Sequence, residues 1–152
     1  MRYLYDEPRT REESRALIAK RIPNTVLGKG GDELSVAVVL KESGRLIGTA
    51  VLKWLSADHQ QGEVGYILHP DHHGHGYATE AARALVDLGF RDLKLHRIVG
   101  NLDARNTASA RVLEKAGMRR EAHLVENEFV KGEWTDELIY AVLRTEWEQA
   151  QQ

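Results

Sequence analysis

The chain of 152 residues contains no cysteine, so disulfides, thiolate metal ligands and a cysteine nucleophile are all excluded. Proline is scarce, at three residues, and aromatics make up only 7%. Charge of one sign is also lacking: 21 basic residues stand against 23 acidic ones, for a net charge of −2. That balance argues against a nucleic-acid partner, which calls for a basic face. No apolar run approaches membrane-spanning length, and the opening MRYLYDEPRTREE has no apolar signal core. The expectation is one soluble cytoplasmic domain over residues 1–152, with no membrane and no nucleic acid among its partners. What is present is a 42% apolar fraction, sufficient for a core, together with 13 glycines and seven histidines.

Thr10 and Glu13 have the spacing of a capping box, and the helix it opens runs to about Ile22, where Pro23 ends it. LSVAVVL, Leu34 to Leu40, reads as a strand. A turn at Glu42–Arg45 joins it to a second strand, Leu46 to Trp54, as a hairpin. A polar loop leads to a third strand, Glu63 to Leu68. Helices are predicted from Thr79 to about Asp92 and from Asn106 to Ala116, with a short strand, His96 to Asn101, between them. Ala81, Ala82, Leu85, Val86, Leu88 and Gly89 form the apolar side of the first, and Gly117 stops the second. Arg119 to Val130 and Glu137 to Leu143 read as two strands joined by a turn at 131–133. The order α, β, β, β, α, β, α, β, β implies a mixed α/β sheet with a right-handed crossover through the helix at 79–92.

Four of the seven histidines fall within HPDHHGH, His69 to His75, between the third strand and that helix. A strand, a glycine-containing turn and a helix N-terminus in succession form an anion cradle. The first amides of a helix lack internal partners, its dipole adds partial positive charge, and glycine lets an anion approach the backbone. Gly74 and Gly76 stand where this is needed, and Ala78 is small. The spacing is neither a P-loop nor a dinucleotide fingerprint. Zinc would require three or four convergent ligands, whereas His72, His73 and His75 crowd one turn, so no metal is expected.

GYILHPDHHGHGYATEAARALV resembles the acetyl-CoA motif of the GNAT N-acetyltransferases, Gln/Arg-x-x-Gly-x-Gly/Ala, with His73 in place of Gln or Arg. NTASARVLEKAGM, Asn106 to Met118, is similar to the second cofactor block of that family. Together they resemble the branch that includes the ribosomal-protein N-terminal acetyltransferases, over roughly Leu34 to Trp147. The resemblance implies that CoA pyrophosphate rests on the amides of Gly74, His75, Gly76, Tyr77, Ala78 and Thr79, with His73 or His75 touching it. It implies that the pantetheine arm pairs with Ile67 and Leu68, and that Asn106 hydrogen-bonds the arm or the thioester region. The resemblance also implies that an acceptor amine attacks acetyl-CoA directly, with no covalent enzyme intermediate. A protein N-terminal α-amine is the first expected acceptor, because a pKa near 8 leaves roughly a tenth of it neutral at pH 7. The alternatives are a small amine such as an aminoglycoside or polyamine, or a CoA-binding module without catalysis.

Glu63 is the candidate base, directly or through water, against the plain reading of a solvated strand-end carboxylate. Ser109, one turn after Asn106, resembles a serine placed near the CoA sulfur in the ribosomal branch, against the plain reading of a helix-end hydroxyl. A tyrosine acid of some relatives falls at Leu113 here, and a glutamate base of others falls at Asn101, so neither role carries over. Tyr66 reads as packing, and Trp134 as a wall of the acceptor site or a surface aromatic. Relatives usually carry a further strand and helix before the capped helix. With Met1 so close to Thr10, both are expected to be missing, LSVAVVL to be an uncovered edge, the acceptor site to be open and the chain to form a homo-oligomer through that edge or through exchanged terminal segments.

Overall fold

A computed structural model describes residues 9–23 and 26–152. Its elements are α1 (Arg11–Arg21), β1 (Glu33–Val39), β2 (Leu46–Ser56), β3 (Gln61–Leu68), α2 (Tyr77–Arg91), β4 (Arg97–Asp103), α3 (Thr107–Lys115), β5 (Arg119–Val130), β6 (Glu133–Leu143) and α4 (Arg144–Ala150). The six strands form one sheet in the order β1-β2-β3-β4-β6-β5. All neighbours are antiparallel except β3 and β4, which the α2 crossover makes parallel.

Local chemistry sets the element ends. The capping box forms as the spacing requires: Glu13 N–H donates to Thr10 Oγ1 (3.2 Å) and Thr10 N–H to Glu13 Oε2 (2.7 Å). Helix α2 starts at Tyr77, two residues earlier than the threonine at 79 suggests, because left-handed Gly76 (φ 83°) is the N-cap. Strand β6 starts at Glu133, not Glu137, since the turn is tight and Val130 pairs directly with Glu133. Helix α4 has no counterpart in the sequence reading. Its seven residues offer one large apolar side chain, Trp147, too few for a periodic signal.

Strand alternation sorts the two sheet faces. Ala50, Leu52, Val64, Ile98, Leu102, Leu138, Tyr140 and Val142 point to one face and are buried with Leu85, Val86, Phe90 and Leu113 of α2 and α3. Phe90 joins this core, although the predicted apolar side stops at Gly89, and Ala81 and Leu88 pack only at its margin. Glu63, Val99, Glu137 and Ala141 alternate to the other face. Among the described residues β1 pairs with β2 alone and forms the sheet edge. The expectation for the first residues of the chain falls on positions 1–8, outside the described residues.

The feature that positions the site is where pairing stops. Strands β3 and β4 pair only over Gln61–Glu63 against Arg97–Val99. Beyond that short ladder, β3 continues to Leu68 beside β2, and β4 continues to Asp103 beside β6. A notch therefore opens in the middle of the sheet, with the glycine loop at its rim and α2 and α3 on one side.

Candidate acyl-transfer site

The rim of the notch is the loop Pro70–Gly76. A 3₁₀ turn over Pro70–His72 leads into Gly74 (φ 79°) and Gly76 (φ 83°). Positive φ at both favours glycine. No side chain caps α2, so the amides of Tyr77, Ala78 and Thr79 have neither an internal partner nor a capping oxygen. A Cβ built at Gly74 or Gly76 meets nothing within 4 Å, so the space over the loop is open to an anion. The loop therefore fits a pyrophosphate on backbone grounds.

The histidines brace this loop. A carbonyl can only accept, so His73 Nε2–H donates to Leu68 O (3.0 Å) and His75 Nδ1–H donates to His73 O (2.8 Å). The His75 ring also stacks on Tyr77, with centroids 5.6 Å apart and planes at 11°. Among the described residues no group of three or more His, Asp or Glu side chains is placed to hold a metal ion. At the strand end the Ile67 oxygen is turned to β2, where it crowds Gly48, and the Leu68 oxygen carries the His73 bond.

Across the notch, Asn106 caps α3, its Oδ1 accepting from Ser109 N–H (3.1 Å). Ser109 meets Tyr66 of β3 twice: Ser109 Oγ–H donates to Tyr66 Oη (3.0 Å), and Tyr66 Oη–H donates to Ser109 O (3.1 Å). Burial pushes the Tyr66 phenol up to about 12, against a smaller lowering by the Ser109 bond. Leu113 is 2% exposed and packs onto Gly100, whose hypothetical Cβ would lie 2.8 Å from Leu113 Cδ1.

The opposite face carries carboxylates. Glu63 is half-buried and accepts from Lys53 Nζ at 2.9 Å. Glu137, at 7% exposure, escaped the sequence reading because one glutamate in a strand does not reveal its burial. Desolvation pushes its carboxyl up, and the charges of Glu128 and Glu63 add to that; a hydrogen bond from Asn127 Nδ2 (2.7 Å) opposes it. Asn101 is exposed on β4. Trp134 is exposed on the last hairpin, against Phe129. Thus Tyr66 and Ser109 meet on the helical side of the notch, while Glu63 lies on the other face.

Comparison with known proteins agrees with this geometry. Residues 1–119 match the acetyltransferase (GNAT) domain family. An uncharacterized N-acetyltransferase of Bacillus subtilis, YnaD, is 34% identical over 147 residues, covering 97% of this chain and 82% of that protein. A GNAT-family acetyltransferase structure from Bacillus anthracis superposes with a TM-score of 0.83 at 34% identity, over 95% of this chain and 81% of that one. Spermidine N-acetyltransferase from Vibrio cholerae, solved with CoA and spermine, superposes with a TM-score of 0.79 at 26% identity, over 96% of this chain and 83% of that one. No helix among the described residues is long and apolar enough to cross a membrane. With its split sheet, its uncapped helix behind two left-handed glycines and a family match over most of its length, the chain belongs to the GNAT acetyltransferases and is an acetyl-CoA-dependent N-acetyltransferase.

Proposed function

We propose that the acceptor is a small polycationic amine of the spermidine class, received on the sheet face opposite α2 and α3. The observation that carries this reading is the carboxylate patch on that face: Glu137, 7% exposed, feels the charges of Glu128 and Glu63, and Glu63 accepts from the Lys53 ammonium at 2.9 Å. Glu137 is costly to ionise where it sits, and a bound cation relieves that cost. The relative solved with spermine supports the same class. A primary amine near pKa 10.4 arrives almost fully protonated, so a carboxylate must take its proton. Glu63 is the base in this reading, directly or through water, with Glu137 beside it.

Acetyl-CoA supplies an acetyl group activated as a thioester. In this proposal its pyrophosphate rests on the amides of Gly74 to Thr79, including Tyr77 and Ala78, with His73 and His75 bracing the loop. The arm follows the end of β3 at Ile67 and Leu68. Asn106 gives its Oδ1 to the helix cap and keeps Nδ2 for the arm, and Ser109 serves the sulfur.

A protein N-terminal α-amine is the second reading. It is favoured by the lower pKa of such amines and by the likeness of the Asn106–Met118 block to the ribosomal branch. A CoA-release assay with spermidine, N-terminal peptides and aminoglycosides decides: spermidine should exceed the peptides by tenfold or more in kcat/KM. A peptide preferred over every small amine establishes the second reading. The proposal also takes residues 1–152 as one catalytic domain of the cytoplasm that self-associates through the β1 edge. A stable monomer in light scattering at high micromolar concentration removes the self-association.

A further inference from the structure

We propose that Tyr66 is a positioning residue for acetyl transfer: by turning its O–H from the Ser109 carbonyl oxygen to Ser109 Oγ, it releases the Ser109 hydrogen toward the CoA sulfur. The Tyr66 hydroxyl has one hydrogen, and the Ser109 carbonyl can only accept, so the 3.1 Å contact commits that hydrogen to the carbonyl. The 3.0 Å contact between the hydroxyls must then be made by the Ser109 hydrogen. In this arrangement Ser109 has nothing to offer the notch.

A second arrangement needs no movement of heavy atoms. Both acceptors belong to one residue, so rotation about the Tyr66 C–O bond carries the hydrogen from Ser109 O to Ser109 Oγ. The carbonyl stays satisfied, because a residue in the first turn of a helix also accepts from the amide four residues on. Ser109 Oγ then accepts from Tyr66 and is free to donate. No proton changes owner. Negative charge gathering on sulfur favours this state, since hydrogen bonds to charged acceptors are the stronger ones and two in series polarise each other. Burial that lifts the phenol to about 12 keeps Tyr66 a protonated donor at every working pH.

Position supports the assignment. Tyr66 lies on β3 beyond the last residue paired with β4, and Ser109 lies in the first turn of α3, so their bond spans the helical side of the notch. The alternative hydroxyl position on α3 is taken by Leu113, buried against Gly100.

The proposal rests on the reading that Ser109 faces the sulfur, and the test separates the two. The thiol of bound CoA is titrated by the ultraviolet absorbance of its thiolate, in parallel with kcat and KM. In the unaltered enzyme it should ionise about one pH unit below free CoA, the effect of a hydrogen bond to the charged form. Ser109→Ala should abolish that shift. Tyr66→Phe should remove most of it and lower kcat about tenfold with KM for acetyl-CoA unchanged, because an unpinned helical serine turns back to its own backbone. In the Ser109→Ala background, Tyr66→Phe should add nothing. An impaired Ser109→Ala beside an unaltered Tyr66→Phe overturns the role of Tyr66 and leaves that of Ser109. An unaltered Ser109→Ala overturns both. Equal damage from Tyr66→Phe in either background makes Tyr66 a structural pin and overturns the proposal. If Tyr66→Phe melts below the assay temperature, 3-fluorotyrosine at position 66 keeps the ring and strengthens the donor. It should lower the bound thiol titration further, and an unmoved titration overturns the proposal.

Discussion

Helices α2 and α3 both begin at the rim of the same notch, and they begin in opposite ways. Helix α2 starts from a left-handed glycine with no side chain over its first amides. Helix α3 starts from Asn106, whose oxygen closes on Ser109 N–H, and its first turn is tied to β3 through Tyr66. Glycine is a tolerated N-cap, only a few tenths of a kcal/mol poorer than a side-chain cap, so leaving the first amides of α2 bare costs the fold little. The bare end is the one available to an anion; the closed end holds side chains in place. In the proposed site, binding falls to the first helix end and positioning to the second.

The comparison breaks most severely at Gly76. Gly76→Val puts a β-branched residue at φ 83° and fills the open side of the loop. Acetyl-CoA affinity measured by calorimetry should fall about a hundredfold or more with the sheet intact. Unchanged affinity would remove the pyrophosphate from this loop.

Next in size is Glu137→Gln, which probes the far side of the notch. Spermidine turnover should drop about tenfold, the lower part of the range for acid–base and charge-binding groups. The melting temperature at neutral pH should rise. The folded pKa of Glu137 stands above its unfolded value, so the folded chain binds the extra proton and stability falls as pH rises through that window. Glutamine does not ionise and escapes the loss. A lower melting temperature at neutral pH contradicts the strained-carboxylate account.

Asn106→Ala opens the closed helix end. Loss of the cap should cost about 1 kcal/mol and lower the melting temperature by about 2–4 °C, read by circular dichroism. Acetyl-CoA affinity should weaken far less than in Gly76→Val. An equal loss would mean that the two ends are not divided in function.

The smallest effect sharpens the bare end. His73 uses Nε2–H on Leu68 O, and a neutral imidazole has only a lone pair left for a phosphate. His73→Arg keeps a donor for Leu68 and adds others, so acetyl-CoA should bind roughly threefold tighter. Weaker binding would show that the ring itself, rather than a donor, is required.

The bare end was legible in the sequence and the closed end only partly so. Gly74 and Gly76 between a strand and a helical pattern announce a tight turn into a helix without a side-chain cap, because local backbone chemistry fixes it; that the turn is an anion cradle stays a proposal. The capping box at Thr10 and the β1–β2 hairpin are local in the same sense. The Tyr66–Ser109 pair joins residues 43 apart in the chain, and the reading of Tyr66 as packing missed its hydroxyl. Its ring does pack at the core, so the reading was incomplete rather than inverted. Glu137 needed the sheet register to show that it is buried, and α4 needed Trp147 to find Asp87, where its Nε1–H donates at 2.6 Å. Long-range contacts leave no periodicity to read.

The packing of Leu113 on Gly100 limits how this enzyme can be redesigned. Tyrosine at position 113 is the obvious graft for anyone wishing to place a phenolic acid on α3. The pocket there is already filled to contact, with the β4 backbone as its floor, so a larger ring must push α3 off the sheet. That displacement would also pull Ser109 away from Tyr66. A graft meant to add one hydroxyl would thereby break the bond between two others, and any such redesign has to recarve the floor first.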